Sequence, residues 1–194
     1  MKRGKAEQYT LSEEQVKALL NVPAEPEEKL LLKLMLYCGL RVGEAVHLNA
    51  NWIQEDCIKI PPSQTCAHAE CKGEWKAKSK ASVRIIPIPE YMKGELAEFL
   101  HQQPQGFGFT RQKAYGIVKR LCRQAKIRVK GLSGDTIYPH VLRATCATNL
   151  AAKGMSAVAL CYLMGWSSIE IGQHYIHIAQ AKQEAHRQFR EIMG

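Results

Sequence analysis

Three short segments of this sequence carry side chains suited to gripping an anion and attacking an ester. In CGLRVGEAVHL, Arg41 stands at the start of a short helical run, where the free amides of a first turn add to its own positive charge. In His140-Val-Leu-Arg143, an imidazole and a guanidinium lie three residues apart, so one helix face presents both to one anion. In LMGWSSIEIGQHYIH, Trp166 precedes Tyr175 by nine residues, across a polar turn and into a helix. Singly, each has an ordinary reading. Arg41 can pair with Glu44, His140 can be a cap or a core histidine, and Trp166 and Tyr175 can be packing. Together, in one chain, they point to chemistry on a charged substrate.

A fourth group suggests a metal. Cys66, His68 and Cys71 fall within six positions of the polar stretch PPSQTCAHAECKGE, and Cys57 lies nine residues before Cys66. The spacing C-x-H-x2-C is compatible with a tetrahedral zinc site. The expected set is Cys57, Cys66, His68 and Cys71, holding one structural zinc; the alternative is a polar loop with unbound thiols. Cys38, Cys122, Cys146 and Cys161 sit in apolar helical segments and read as small core residues. With no secretion signal, a disulfide framework is not expected.

The charge balance names the class of partner. Against 18 Asp and Glu stand 27 Lys and Arg, a formal net charge of +9, which suits a polyanion: nucleic acid first, an acidic membrane surface second. Arg111 to Lys130 carries eight Lys or Arg and no acid. It reads as a helix with one wet face, either merely solvated or laid against phosphates. No apolar run approaches the roughly 18 residues a membrane span needs, and nothing resembles a signal peptide, so an intracellular protein without a membrane partner is expected.

These residues need elements to position them. The pattern predicts a mainly α fold with a small antiparallel β-sheet (α+β), in a single domain over 1–194. A capping box at Thr10–Glu13 opens a helix near Leu11 that ends near Asn21, and Pro26 opens a second that Gly39 ends. Arg41 to Leu48 reads as a short helix. From Asn51 to Pro89 the runs WIQ, CIKI and SVRIIPI, broken by Pro, Gly and Asn, read as strands. A cysteine-containing hairpin insertion is expected near 61–75. Helical periodicity then returns, with helices near 90–102, 110–127, 139–153, 156–164, 168–178 and 180–192. Gly131, Gly134 and Gly154 punctuate them.

The segments resemble the tyrosine recombinases, or phage integrases, over roughly residues 10 to 180. The family pattern is an Arg in a G-L-R-x-x-E context, a hairpin Lys, a H-x-x-R pair, a G-[HW] element and a Tyr soon after. Here these are matched by Arg41 and Glu44 in GLRVGE, by His140 and Arg143, by Gly165 and Trp166, and by Tyr175. AKSKASVRIIPIP is similar to the family's P-K-T-K-x-x-x-R-x-x-P form, which makes Lys78 the hairpin lysine and Lys80 the runner-up. Two departures stand out. Ala144 follows Arg143 where many relatives carry His, and the residues 1–194 are expected to hold the catalytic domain alone, without the family's N-terminal, helical DNA-clamping domain. The cysteine-bearing insertion is similar to those of archaeal members.

The resemblance implies site-specific cleavage and rejoining of double-stranded DNA, in recombination or integration, through a 3′-phosphotyrosyl intermediate. Tyr175 is the expected nucleophile. Its hydroxyl, with a reference pKa near ~10, needs help, and His140 is the candidate helper. Arg41 and Arg143 can grip the phosphate oxygens, and Trp166 can donate its indole N–H or buttress Tyr175. Lys78 can protonate the leaving 5′ oxygen if neighbouring arginines depress its pKa. No cofactor is needed for this chemistry. Relatives dock the helix after the Tyr on a neighbouring protomer, so self-assembly into a multimer on DNA is expected, with Ile178, Ala181 and Phe189 packed against a protein surface. Two other readings remain open: a type IB topoisomerase-like nicking and relaxing enzyme, and a DNA-binding regulator that has lost catalysis.

Overall fold

A computed structural model of the protein describes residues 9–127 and 137–193. Arg128, Lys130, Gly131 and Gly134 fall outside the described residues. The first helix, α1 (Glu13–Asn21), begins at Ser12. Its hydroxyl accepts from the Gln15 N–H, and the Gln15 side chain accepts from the Ser12 N–H. The capping box is thus Ser12–Gln15, two positions later than the Thr10–Glu13 expected. Serine with a glutamine three on satisfies the same two donors, and the shift lets Leu11 bury, its N–H donating to Thr145.

Helix α2 (Pro26–Tyr37) buries Leu30, Leu31, Leu32, Leu34, Met35 and Leu36. A helix apolar on nearly every side is stable only when surrounded. It ends at Gly39, whose φ is +61°. A Cβ there would sit 2.6 Å from the Met164 methyl, so both conformation and space demand glycine. Helix α3 (Val42–Ala45) is a single turn, shorter than the run 41–48 expected, and Arg41 is its N-cap.

The runs read as strands supply β1 (Ile53–Gln54), β2 (Cys57–Ile60) and, after an excursion, β5 (Arg84–Pro87). They form an antiparallel sheet in the order β1-β2-β5. The excursion is the expected hairpin, β3 (Ser63–Cys66) paired with β4 (Gly73–Lys76), with Cys66 opposite Gly73. The Ala77 N–H donates to Pro62 O and closes its base.

Among the described residues five helices follow: α4 (Glu90–Gln102), α5 (Arg111–Gln124), α6 (Pro139–Ala152), α7 (Ala157–Met164) and α8 (Ile169–Met193). Helix α8 corrects the expectation of two helices, 168–178 and 180–192. No Gly or Pro interrupts the chain after Gly172, and Ala179 is buried at the supposed break. Helix α2 packs on α6, and α6 and α7 pack on α8. A second apolar cluster, including Ala147, Leu160, Met164, Tyr175 and Ala179, joins these last three helices. Among the described residues no helix is long and apolar enough to cross a membrane.

Candidate active site

Arg143 lies on α6 and is fully buried, with its two terminal nitrogens donating to the Gly39 and Met164 carbonyls. Arg41 donates from one terminal nitrogen to Gly165 O at 2.8 Å, and from the other to Glu44 Oε1 at 2.7 Å and Ser82 Oγ at 3.2 Å. The two guanidiniums therefore hang on consecutive carbonyls of one turn. The next residue is Trp166. Its ring stacks on that of Tyr175, with centroids 4.9 Å apart and planes 10° off parallel, and the Arg143 guanidinium carbon stands 5.9 Å from the Trp166 ring. Arg41, Arg143, Trp166 and Tyr175 come from four different elements and meet around residues 164–166.

Gly165 makes that meeting possible. Its φ of +57° ends α7, and a Cβ would lie 2.8 Å from Ala81 O and 3.1 Å from Ser82 Cα. The turn carrying Ser82 can therefore lie directly against the end of α7. Tyr175 is only 4% exposed.

Sequence reasoning left Arg84 without a role, and for Glu44 it offered only a pairing with Arg41. Arg84, on β5, is buried and meets Glu44 fork to fork, NH1 to Oε1 at 3.0 Å and NH2 to Oε2 at 2.9 Å. It also donates to Ser82 O at 2.8 Å and Leu163 O at 2.6 Å. A cation inside the β-rich run SVRIIPI was the available signal, because a buried charge requires a partner. Glu44 thus serves Arg41 and Arg84, with Arg143 4.0 Å away. Burial alone would raise the Glu44 pKa. The Arg84 hydrogen bonds, with the charges of Arg84, Arg143 and Arg41, outweigh that and hold it at about 2. Desolvation first, then the charge of Arg41, pushes Arg143 down to about 9, so it is still a cation at neutral pH. Three guanidiniums around one carboxylate leave a local surplus of positive charge.

His140 is one turn before Arg143 on α6, but it is exposed where Arg143 is buried. Lys78 and Lys80 are exposed on the loop that leaves β4. That loop is tied at Ala77 to Pro62 O and at Ser82 to Arg41. On α5, Ala114, Ile117, Val118, Leu121 and Cys122 face the core, while Arg111, Lys113, Lys119, Arg120 and Arg123 face out. Arg120 is engaged by Glu28 at 2.5 Å.

The metal-type residues regroup. The ligand atoms of His47, Cys66, His68 and Cys71 all lie within 4.8 Å of one another. Cys57 is not among them. It starts β2, paired with Gln54 and Pro87, at the strand end away from the hairpin and about 10 Å back along extended chain. His47, just after α3, takes its place.

The model of the phage integrase family matches residues 9–182, and the chain belongs to that family. It is 27% identical over 187 residues to tyrosine recombinase XerD of Haemophilus influenzae, covering 92% of this chain and 61% of the relative. It is 30% identical over 186 residues to XerD of Neisseria meningitidis serogroup A, covering 87% of this chain and 58% of that protein. The chain thus spans about three fifths of the curated relatives it matches. Among solved structures, the XerA recombinase superposes with a TM-score of 0.67 at 21% identity, over 93% of this chain and 63% of that one. The catalytic domain of bacteriophage HP1 integrase superposes with a TM-score of 0.60 at 23% identity, over 93% of this chain and 94% of that domain. These two share the fold.

Proposed function

We propose that this chain cuts and rejoins DNA strands at specific sites through a covalent phosphotyrosine formed by Tyr175. The observation that carries the reading is the turn at 164–166, where Arg143 and Arg41 are fixed on adjacent carbonyls and Trp166 stacks on Tyr175. A phosphodiester resists attack because its oxygens are negative. Arg41 and Arg143 offset the charge that grows on those oxygens in the transition state, and Arg84 and Glu44 fix Arg41 in place. Tyr175 Oη attacks phosphorus. The bond to the 5′ oxygen breaks, Lys78 gives that oxygen its proton, and a 3′-phosphotyrosyl ester remains. His140 assists removal of the tyrosine proton, and Trp166 holds the tyrosine ring. Attack by a second DNA 5′ hydroxyl reverses the steps with a different strand, so no nucleotide hydrolysis is required.

Membership of the phage integrase family and the net charge of +9 support DNA as substrate. The Tn1549 transposon integrase, 22% identical with a TM-score of 0.66, was solved in complex with transposon right end DNA, and its fold is shared here. The basic face of α5 is the proposed phosphate-contacting surface, and several protomers assemble on the DNA. The test is covalent trapping on nicked suicide duplexes. Wild type should give an SDS-stable adduct, and Tyr175→Phe none, while noncovalent binding stays nearly unchanged. An adduct in the Phe variant would remove Tyr175 from the role.

A further inference from the structure

The hairpin β3–β4 has little to hold it in place. Trp75 is its one buried hydrophobic side chain, packed 5.1 Å from Trp52 and stacked at 5.5 Å on the His47 ring. Gln64 adds polar stitching, accepting from the Trp52 indole N–H at 2.6 Å and donating to His47 O at 2.9 Å. Beyond them the tip carries Cys66, His68 and Cys71 over the end of α3, with the side chain of His47 beneath.

The ring chemistry of these residues points to a ligand. His47 Nδ1 lies 2.6 Å from Gly43 O, a contact only an N–H can make favourably, so the neutral ring carries its proton there. Nε2 is then an acceptor, and it faces Cys71 Sγ at 3.1 Å. A backbone carbonyl that fixes one imidazole nitrogen while the other faces a soft donor is the usual support of a metal-bound histidine. His68 Nδ1 is buried with no hydrogen-bond partner, although its ring stands 4.9 Å from that of His47. A buried acceptor left unpaired is expensive, and a cation at this point would satisfy it. Cys66 Sγ already receives the His68 backbone N–H at 3.4 Å, which holds the sulfur at the cluster.

We propose that His47, Cys66, His68 and Cys71 bind one zinc ion that pins the hairpin to the end of α3. Two thiolates and two imidazoles make a closed tetrahedral set of the structural kind, and two thiolates neutralise the ion's charge in a half-buried place. Around zinc such donors lie roughly 3.3–3.8 Å apart, so a small contraction of the present cluster, within 4.8 Å, completes it. Binding displaces the thiol protons of Cys66 and Cys71 to solvent. The site stands whether or not the chain cuts DNA.

The experiment uses the whole chain, produced without added zinc and purified without an immobilised-metal column or chelator. Elemental analysis should find about one zinc per chain in wild type and in Cys57→Ser, and almost none in Cys66→Ser/Cys71→Ser. Should the double variant fail to fold, cobalt(II) exchanged into wild type supplies the second readout. A thiolate-to-cobalt charge-transfer band with strong tetrahedral visible absorption supports the site, and the weak absorption of octahedral cobalt overturns it. Metal-free wild type that refuses zinc on titration, a Cys66–Cys71 disulfide in its place, or loss of zinc in Cys57→Ser would each overturn the proposal.

Discussion

Arg84 and Glu44 meet fork to fork beneath the surface, and the same carboxylate reaches up to Arg41. Removing one partner leaves a charge buried without compensation. Arg84→Ala should therefore destabilise the protein by about 3–5 kcal/mol. Arg84→Lys should recover little of that, because an ammonium cannot make the paired bonds. Urea unfolding midpoints measure both, and a near-neutral Arg84→Ala would mean that Glu44 is held by Arg41 alone.

The depressed Glu44 carboxyl also makes a pH signature. Its folded value, about 2, lies below the ordinary 4.5 of an unfolded chain. Folding therefore favours the ionised form, and this stability is fully present above about 4.5 and lost as pH falls toward 2. The drop across that window is on the order of 3 kcal/mol. Thermal melts from pH 6 downward should show it in wild type. Glu44→Gln should be weaker at neutral pH but flatter on the acid side, and an equally steep acid limb in that variant would assign the titration elsewhere.

Lys78→Ala should slow cleavage of ordinary DNA strongly. A substrate with sulfur at the bridging 5′ position should restore it, since a thiolate leaves without a proton. If Lys80→Ala shows this pattern instead, the acid is Lys80, two residues nearer to Ser82.

Charge reversal on α5 tests the phosphate surface. Lys119 and Arg123 are the cleaner choices, because Arg120 already serves Glu28. Changing both to Glu should weaken binding to all DNA sequences alike and reduce the salt slope by roughly one for each phosphate no longer neutralised. Weakening confined to one sequence would show base reading instead.

Most of the framework was legible because local rules governed it. Pro26 and Gly39 bound α2, and the strand runs and the hairpin stand where β-rich and polar stretches alternate. Arg41, Arg143, Trp166 and Tyr175 were readable from motif and order, and they do converge. The misses share a cause. His47 joins Cys66, His68 and Cys71 from 19 residues before Cys66, across two sheet strands, and spacing cannot reveal a ligand delivered by tertiary packing. Cys57 was near in sequence yet held away by its strand pairing. The expected gap in α8 came from reading the end of one motif as the end of an element. Arg84's role depends on a carboxylate 40 positions away.

Deleting residues 184–193 should leave adduct formation intact while impairing strand exchange between two sites. Gln183 still donates to Ala152 O at 2.9 Å, so the docked part of α8 survives the cut. Beyond it the helix faces solvent, with Phe189 64% exposed. Full exchange by the shortened chain, scored on paired duplexes, would deny the arm a role in assembly.

Because α8 runs unbroken from Ile169 to Met193, its protruding arm and Tyr175, the proposed nucleophile, belong to one rod. Ala179 is the buried residue nearest the middle, the point about which a rigid tilt of the rod would turn. At about 1.5 Å per residue, the far end lies roughly 20 Å beyond that pivot and Tyr175 about 6 Å before it. A tilt of about 10° that swings the tip by roughly 4 Å moves the tyrosine by about 1 Å. Displacements of that size separate productive from idle geometry in enzymes. In the proposed assembly, a neighbour gripping the tip would work a lever with more than threefold mechanical reduction, turning a coarse pull into a fine adjustment at the hydroxyl.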